Sequence, residues 1–299
     1  MKTFNIKIIV IPTDFSEAGI HALEQGASLS KLCNAELHLV HVFEPTSVFF
    51  PALEPILALS VEEDAKEKIS QKMSEVSELY RNKFGIKVVS VVVEGKIAAE
   101  IVKYAEEKEA DLILMGTHGA SGYEEFFIGS NAEKVLNKAQ CPVLTIQAHS
   151  GSNNIQNIVV PIDGTLHSRQ KVDYAIEMAK IYGSTIHLLG LIEMEEDQIE
   201  KFRLKMRIVE EVVQKAGVPY VEKTIVDANV AQTALDYAKE VGADLIIVMA
   251  DHESMIPGLF TGKFGKHLVN HSAIPVMSIK PHLGSLTSVN PAGSPSYAN

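Results

Sequence analysis

The chain reads as an α/β protein made of two tandem, doubly wound parallel sheets, and three observations carry that reading. Short runs rich in Val, Ile and Leu alternate with longer stretches of helical period, the order that gives β-α-β units. The runs lack polar alternation, as strands do when helices cover both faces of a parallel sheet. The whole pattern then occurs twice in the same order.

Ile8-Ile9-Val10-Ile11 is the first strand, closed by Pro12-Thr13-Asp14. Ser16 is placed to cap a helix whose buried side is expected to run Ile20, Leu23, Ala27. Glu36–Val42 is the second strand. A long charged helix from about Val61 shows Ala65, Ile69, Met73, Val76 and Tyr80 at three- and four-residue steps, with the Glu and Lys between Glu62 and Lys72 as its solvated face. Ile97, Ile101 and Ala105 mark a third helix, Leu112–Met115 a strand, Val135, Leu136 and Ala139 a fourth helix, and Val143–Ile146 the last strand.

Four landmarks return. Ile8–Asp14 reappears as Ile158–Asp163 and Glu36–Val42 as Thr185–Leu191, at an offset of 149 residues. Ala110–Met115 returns as Ala243–Val248 and Cys141–Ile146 as Ile274–Ile279, at an offset of 133. The first copy therefore carries about 16 extra residues in its first half. We expect domains at 1–148 and 155–281, joined near His149–Asn154, with a mobile Ser-, Gly- and Pro-rich tail over 282–299. The apolar, proline-bearing segment Phe43–Ser60 is expected to fold back over a ligand cleft or onto the other copy.

Composition limits the function. Of 299 residues 46% are hydrophobic, enough for substantial cores, and no apolar run has the length of a membrane span. Met1–Asn5 leads straight into a strand, so no secretory leader is expected, and two cysteines without metal-finger spacing suit a reducing cytoplasm. A net charge of −11 argues against a general nucleic-acid binder. Any phosphate must then be held mostly by backbone N–H groups.

The first copy offers such a place. Gly116 follows the strand Leu112–Met115, Gly119 comes three residues later, and Gly129-Ser130 stands just before a helix. The spacing G-x2-G-x9-G-[ST] puts bare backbone at the carboxyl edge of a sheet and free amides at a helix start, both suited to phosphate oxygens. Glycines also make tight strand-to-helix turns for structural reasons alone, and Asp14 can equally serve as an Asx turn ahead of Ser16.

With Asp14 at the end of the first strand, this constellation resembles the ATP-binding universal stress proteins over nearly the whole chain. The resemblance implies a Rossmann-like, five-stranded parallel sheet in each copy. It implies that Gly116, Gly119, Gly129 and Ser130 hold triphosphate and ribose, and that Thr13, Asp14 and the backbone at Val42 hold the adenosine part. Met115 and His118 line the same cleft and Asn131 adds a helix-start N–H. ATP with Mg is the implied ligand. It also implies that the two copies pair internally through their last strands, Val143–Ile146 against Val276–Ile279, with a further homodimer and a protein partner to be found.

The second copy departs from the pattern. Gly116 becomes Met249, Gly119 becomes His252 and Ser130 becomes Lys263, while Gly129 persists as Gly262. It is expected not to bind ATP in the family manner. Asp251-His252-Glu253 is read as a polar loop rather than a metal cluster, and His38 and His187, matched on buried strands, as satisfied structural histidines. No catalytic residue or metal site is assigned, because neither a P-loop, a nucleophile elbow nor HExxH occurs. Three readings stay open: an ATP-binding stress-response regulator, a scaffold with a vestigial cleft, or a slow ATPase.

Overall fold

The computed structural model describes residues 4–44, 55–117, 128–147, 154–163, 170–192, 196–226, 229–250 and 263–281. The first half runs β1 (Ile8–Pro12), α1 (Glu17–Cys33), β2 (Glu36–Phe43), α2 (Pro55–Phe84), β3 (Lys87–Glu94), α3 (Ile97–Glu107), β4 (Leu112–Gly116), α4 (Ser130–Lys138) and β5 (Val143–Ile146). The second repeats it as β6 (Asn157–Ile162), α5 (Gln170–Tyr182), β7 (Thr185–Ile192), α6 (Glu196–Lys215), β8 (Tyr220–Val226), α7 (Val230–Glu240), β9 (Leu245–Met249), α8 (Lys263–His271) and β10 (Val276–Ile279).

The expected pairing of last strands is present and turns two sheets into one. The strand order is β3-β2-β1-β4-β5-β10-β9-β6-β7-β8. Every neighbouring pair is parallel except β5 with β10, which run antiparallel with Thr145 opposite Val276, Leu144 opposite Met277 and Val143 opposite Ser278. Sharing these strands leaves β3 and β8 as the sheet's edges. Across the seam, Thr145 Oγ1 donates to the Val276 carbonyl and Gln147 Nε2 to the Ser272 carbonyl.

Central strands are buried on both sides; Ile9, Val10, Leu112 and Ile113 are fully enclosed. On one face a single apolar core runs across the seam under α1, α2, α5 and α6, and Phe4 packs on Tyr174 at 4.6 Å. The other face has two cores, one under α3 and α4 and one under α7 and α8, with Ile128 and Leu136 packed against both. Among the described residues, no helix is long and apolar enough to cross a membrane.

Local signals behave as their chemistry dictates, with two corrections. Ser16 caps α1 by accepting the Gly19 amide, and Asn34 ends the helix in the left-handed region at φ 53°. Ile20, however, is exposed. The buried stripe of α1 includes Ala18, Ala22, Leu23 and Ala27, and its alanines let the helix settle close to the sheet. The long helix begins at Pro55, not near Val61, so the end of the Phe43–Ser60 segment is helical. Proline suits a first helical turn, where its missing N–H costs no bond. Phe43 itself closes β2, while 45–54, the linker 148–153 and the tail 282–299 lie outside the described residues.

His38 and His187 are satisfied on their strands. His38 Nδ1 pairs with the Tyr104 hydroxyl at 2.9 Å and Nε2 with Glu36; His187 pairs with the Tyr237 hydroxyl at 3.2 Å and with Asn157. The repeat is thus preserved down to a side-chain pair. Burial pushes both imidazoles below the ordinary histidine value, with Glu36 partly opposing this at His38.

Candidate functional site

The order β3-β2-β1-β4-β5 reverses direction between β1 and β4, which makes the carboxyl ends of these strands the natural cleft of the first half. Thr13, at the end of β1, is buried, and its amide donates to the Val40 carbonyl at 2.9 Å. His41 Nδ1–H donates to the Thr13 carbonyl at 2.8 Å. Asp14 projects at the surface, where its Oδ1 accepts the Ser16 amide at 3.0 Å and the Ser16 hydroxyl at 2.5 Å. The Asx turn foreseen as the alternative role of Asp14 is therefore formed.

Phe15 completes this turn with φ at 62°, a conformation bulky residues avoid. Its ring stacks on His41 at 5.2 Å between centroids, and Lys72 Nζ of α2 stands 5.3 Å from the ring centre. Two elements thus hold a strained residue at the rim of the cleft.

On the other side, Gly116 ends β4 against α1. A Cβ at Gly116 would stand 2.8 Å from the Ala18 Cβ and 2.9 Å from the Ala18 carbonyl carbon, so the helix can approach only a glycine. Thr117 donates its amide to the Ile146 carbonyl at 2.9 Å, and the Gly129 amide returns to the Thr117 carbonyl at 2.6 Å. A Cβ at Gly129 would lie 2.9 Å from that same carbonyl oxygen. These contacts bring the start of α4 to the end of β4. Gly129 is the N-cap residue and offers no side chain to the first turn; Ser130 is exposed and Asn131 half-buried there.

The structure therefore gathers Thr13, Asp14, Gly116, Gly129, Ser130 and Asn131 along the ends of β1 and β4, linked through the first turn of α1. Met115 is buried behind them and Val42 half-buried at the end of β2. His118 and Gly119 lie outside the described residues. Among the described residues, no group of three or more His, Cys, Asp or Glu could hold a metal ion. Burial pushes the Cys33 thiol up to about 11 and the Cys141 thiol up to about 12, so neither is a ready nucleophile.

The second half has a different cleft at the equivalent place. Ile162, Leu191, Val230 and Phe264 line a small, partly open hollow together with Asp163 and Lys171, with room for about one water molecule. Lys171 is 3% exposed, and the sequence reading missed it. A lysine one residue into a helix reads as surface charge; only its alignment with Ala22, which is fully enclosed, marks it as inward. Met249 ends β9 half-buried, whereas His252 and Gly262 lie outside the described residues.

The comparisons agree with this architecture. The model of the universal stress protein family matches residues 5–147 and again 154–280. The chain is 36% identical over 141 residues to a universal stress protein of Methanocaldococcus jannaschii, a match covering 47% of this chain and 82% of that one. A universal stress protein of Mycolicibacterium smegmatis matches through both halves, 22% identical over 290 residues, covering 91% of this chain and 97% of the relative. The crystal structure of a universal stress protein from Archaeoglobus fulgidus shares the fold with a TM-score of 0.73 at 21% identity, covering 94% of this chain and 99% of that one. With both halves matched and the tandem sheet in place, the chain belongs to the universal stress protein family.

Proposed function

We propose that the first half binds ATP with Mg and acts as a nucleotide-responsive regulator, and that the second half does not bind nucleotide in that manner. One observation carries the reading: Thr13 and Asp14 at the end of β1 share a rim with the uncapped start of α4 at Gly129, Ser130 and Asn131. Helix-start amides with an adjacent hydroxyl suit phosphate oxygens. The exposed Asp14 carboxylate suits a hard cation, held otherwise by phosphate and water oxygens, as Mg usually is. Val42, Met115, Gly116, His118 and Gly119 belong to the same proposed site, with the base placed toward Val42. In the second half Met249 replaces Gly116 and Lys263 replaces Ser130. A cytoplasmic location and a homodimer of the whole chain form part of this reading.

A second reading, a scaffold that binds no nucleotide, draws on the same rim. Gly116 and Gly129 are each required by the protein's own packing, and Asp14 is engaged in its Asx turn. Thermal unfolding with and without Mg-ATP separates the two. Binding at a hundredfold excess over Kd adds about 2.7 kcal/mol to native-state stability and raises the melting temperature. Ser130→Ala and Asp14→Asn should reduce that rise. Gly116→Val is a poor probe because its side chain would collide with α1. No rise at millimolar ATP, with no nucleotide carried through purification, would leave the scaffold.

A further inference from the structure

The outward face of α6 differs from that of its counterpart α2 in a way the shared fold does not dictate. Burial aligns the two helices. Ile69, Met73, Val76 and Tyr80 of α2 pack on the core at an offset of 133 from Phe202, Met206, Val209 and Val213 of α6. At that offset α2 exposes Ser70, Gln71, Ser74 and Glu75, with Gln71 bonded to Glu75 at 2.9 Å. In their place α6 exposes Arg203, Leu204, Arg207 and Ile208. Leu204 is 61% exposed and Ile208 38%. Single exposed aliphatics are ordinary, but here two lie one turn apart where the repeat has a hydrogen-bonded polar pair.

At the helical period, Leu204 and Ile208 form one stripe, with Lys201 and Lys205 along one side of it and Arg203 and Arg207 along the other. All four cations are exposed, and no acid falls between Glu200 and Glu210. Arg203 pairs with Glu200 at 2.8 Å, while among the described residues neither Lys201 nor Lys205 has an ion-pair partner. In a chain of net charge −11 this is a local reversal of sign.

We propose that this face of α6 seats the protein on an anionic lipid surface. Leu204 and Ile208 enter the headgroup layer, and the four cations meet lipid phosphates beside them, their apolar stems following the aliphatic side chains inward. The layout favours lipid over an acidic protein segment, because a fluid headgroup layer supplies negative charge on both flanks of the stripe at once and needs no matching shape. The acidic remainder of the chain is repelled from such a layer, so α6 also fixes the orientation of the protein.

The test sediments the full chain with vesicles of phosphatidylglycerol and phosphatidylcholine in equal parts, at about 0.1 M salt. The protein should pellet with these vesicles and not with phosphatidylcholine alone, and about 0.5 M salt should release most of it. Lys201→Gln with Lys205→Gln should weaken binding by more than about tenfold, since each cation near the surface counts for about fivefold. Lys68→Gln with Lys134→Gln, which removes two exposed cations from other helices, should leave it unchanged. Installing the residues of α2 (Arg203→Ser, Leu204→Gln, Arg207→Ser and Ile208→Glu) should abolish pelleting without lowering the melting temperature, because all four positions face solvent. The chain contains no tryptophan, so Leu204→Trp gives a single reporter whose emission should shift to the blue on the anionic vesicles. Pelleting with unshifted emission would overturn the insertion of Leu204. No pelleting with anionic vesicles, or full pelleting of the four-residue variant, would overturn the proposal. Capture by a polyglutamate peptide without vesicle binding would overturn it as well and assign the face to an acidic protein.

Discussion

Asp111 Oδ2 accepts the backbone amide of Ile8 at 3.0 Å, fastening the start of β4 to the start of β1. The same oxygen accepts the Lys7 amide at 2.7 Å. Asp244 repeats the arrangement with Gln156 at 2.8 Å and Asn157 at 3.0 Å. Asp111→Ala should cost about 2 kcal/mol in urea unfolding, since two amides lose a charged acceptor. Asp244→Ala should cost a similar amount, and Asp111→Asn, which keeps an acceptor oxygen, should cost less.

Acid should destabilise the fold through His38 and His187. Both titrate below the ordinary histidine value when folded, so the unfolded chain binds the proton first. Their contribution is fully present above the ordinary value and is lost as pH falls below it toward the folded-state value. Urea midpoints measured from about pH 7 to about pH 5 should fall, and the double variant His38→Gln, His187→Gln should show a shallower decline.

Lys171 gives the opposite end of the pH scale its signature. Folding lowers its ammonium from 10.5 to about 8, so stability should rise as pH increases between those values. Below about pH 8 the full penalty applies, roughly 3 kcal/mol from the shift alone. Lys171→Met should therefore stabilise the protein at neutral pH by roughly 1–3 kcal/mol and flatten the alkaline rise.

The seam between the halves is short, and substitutions there should show it. Thr145→Val removes the hydroxyl that donates to the Val276 carbonyl at 3.1 Å and should cost about 1 kcal/mol. Leu144→Lys places a charge opposite the fully buried Met277 and should cost more than about 3 kcal/mol. Calorimetry should then resolve two unfolding transitions, one for each half.

Periodicity and the repeat made the strands and most helices legible before any coordinates, because each depends on local pattern or on the duplication, while the β5–β10 pairing came from the family resemblance applied to the two copies. The rim was legible as a set of positions: Thr13, Asp14, Gly116 and Ser130 fall where a parallel sheet puts them. What remained hidden depends on contacts distant in sequence. Ile20 keeps helical spacing with the buried Leu23 and Ala27, yet it lies at the edge of their stripe, and the helix turns Ala18 and Ala22 to the sheet in its place. Gly116 is a glycine because of Ala18, nearly a hundred residues earlier. Lys171 resembles surface charge until its helix is docked, and Pro55 starts a helix inside a segment expected only to fold back over a cleft or onto the other copy.

The antiparallel seam has a consequence for any molecule that meets both halves. All strands of the first half point one way and all those of the second point the other, so the carboxyl ends of the two sets lie on opposite rims of one sheet. A strand of five residues spans roughly 17 Å, which separates the rims by about that distance. A small ligand cannot bridge them, and a body seated over one rim leaves the other open. The two clefts are therefore sterically independent but mechanically joined, because a change in twist at one can reach the other through the residue pairs between Val143–Thr145 and Val276–Ser278 and through the apolar core that both halves share.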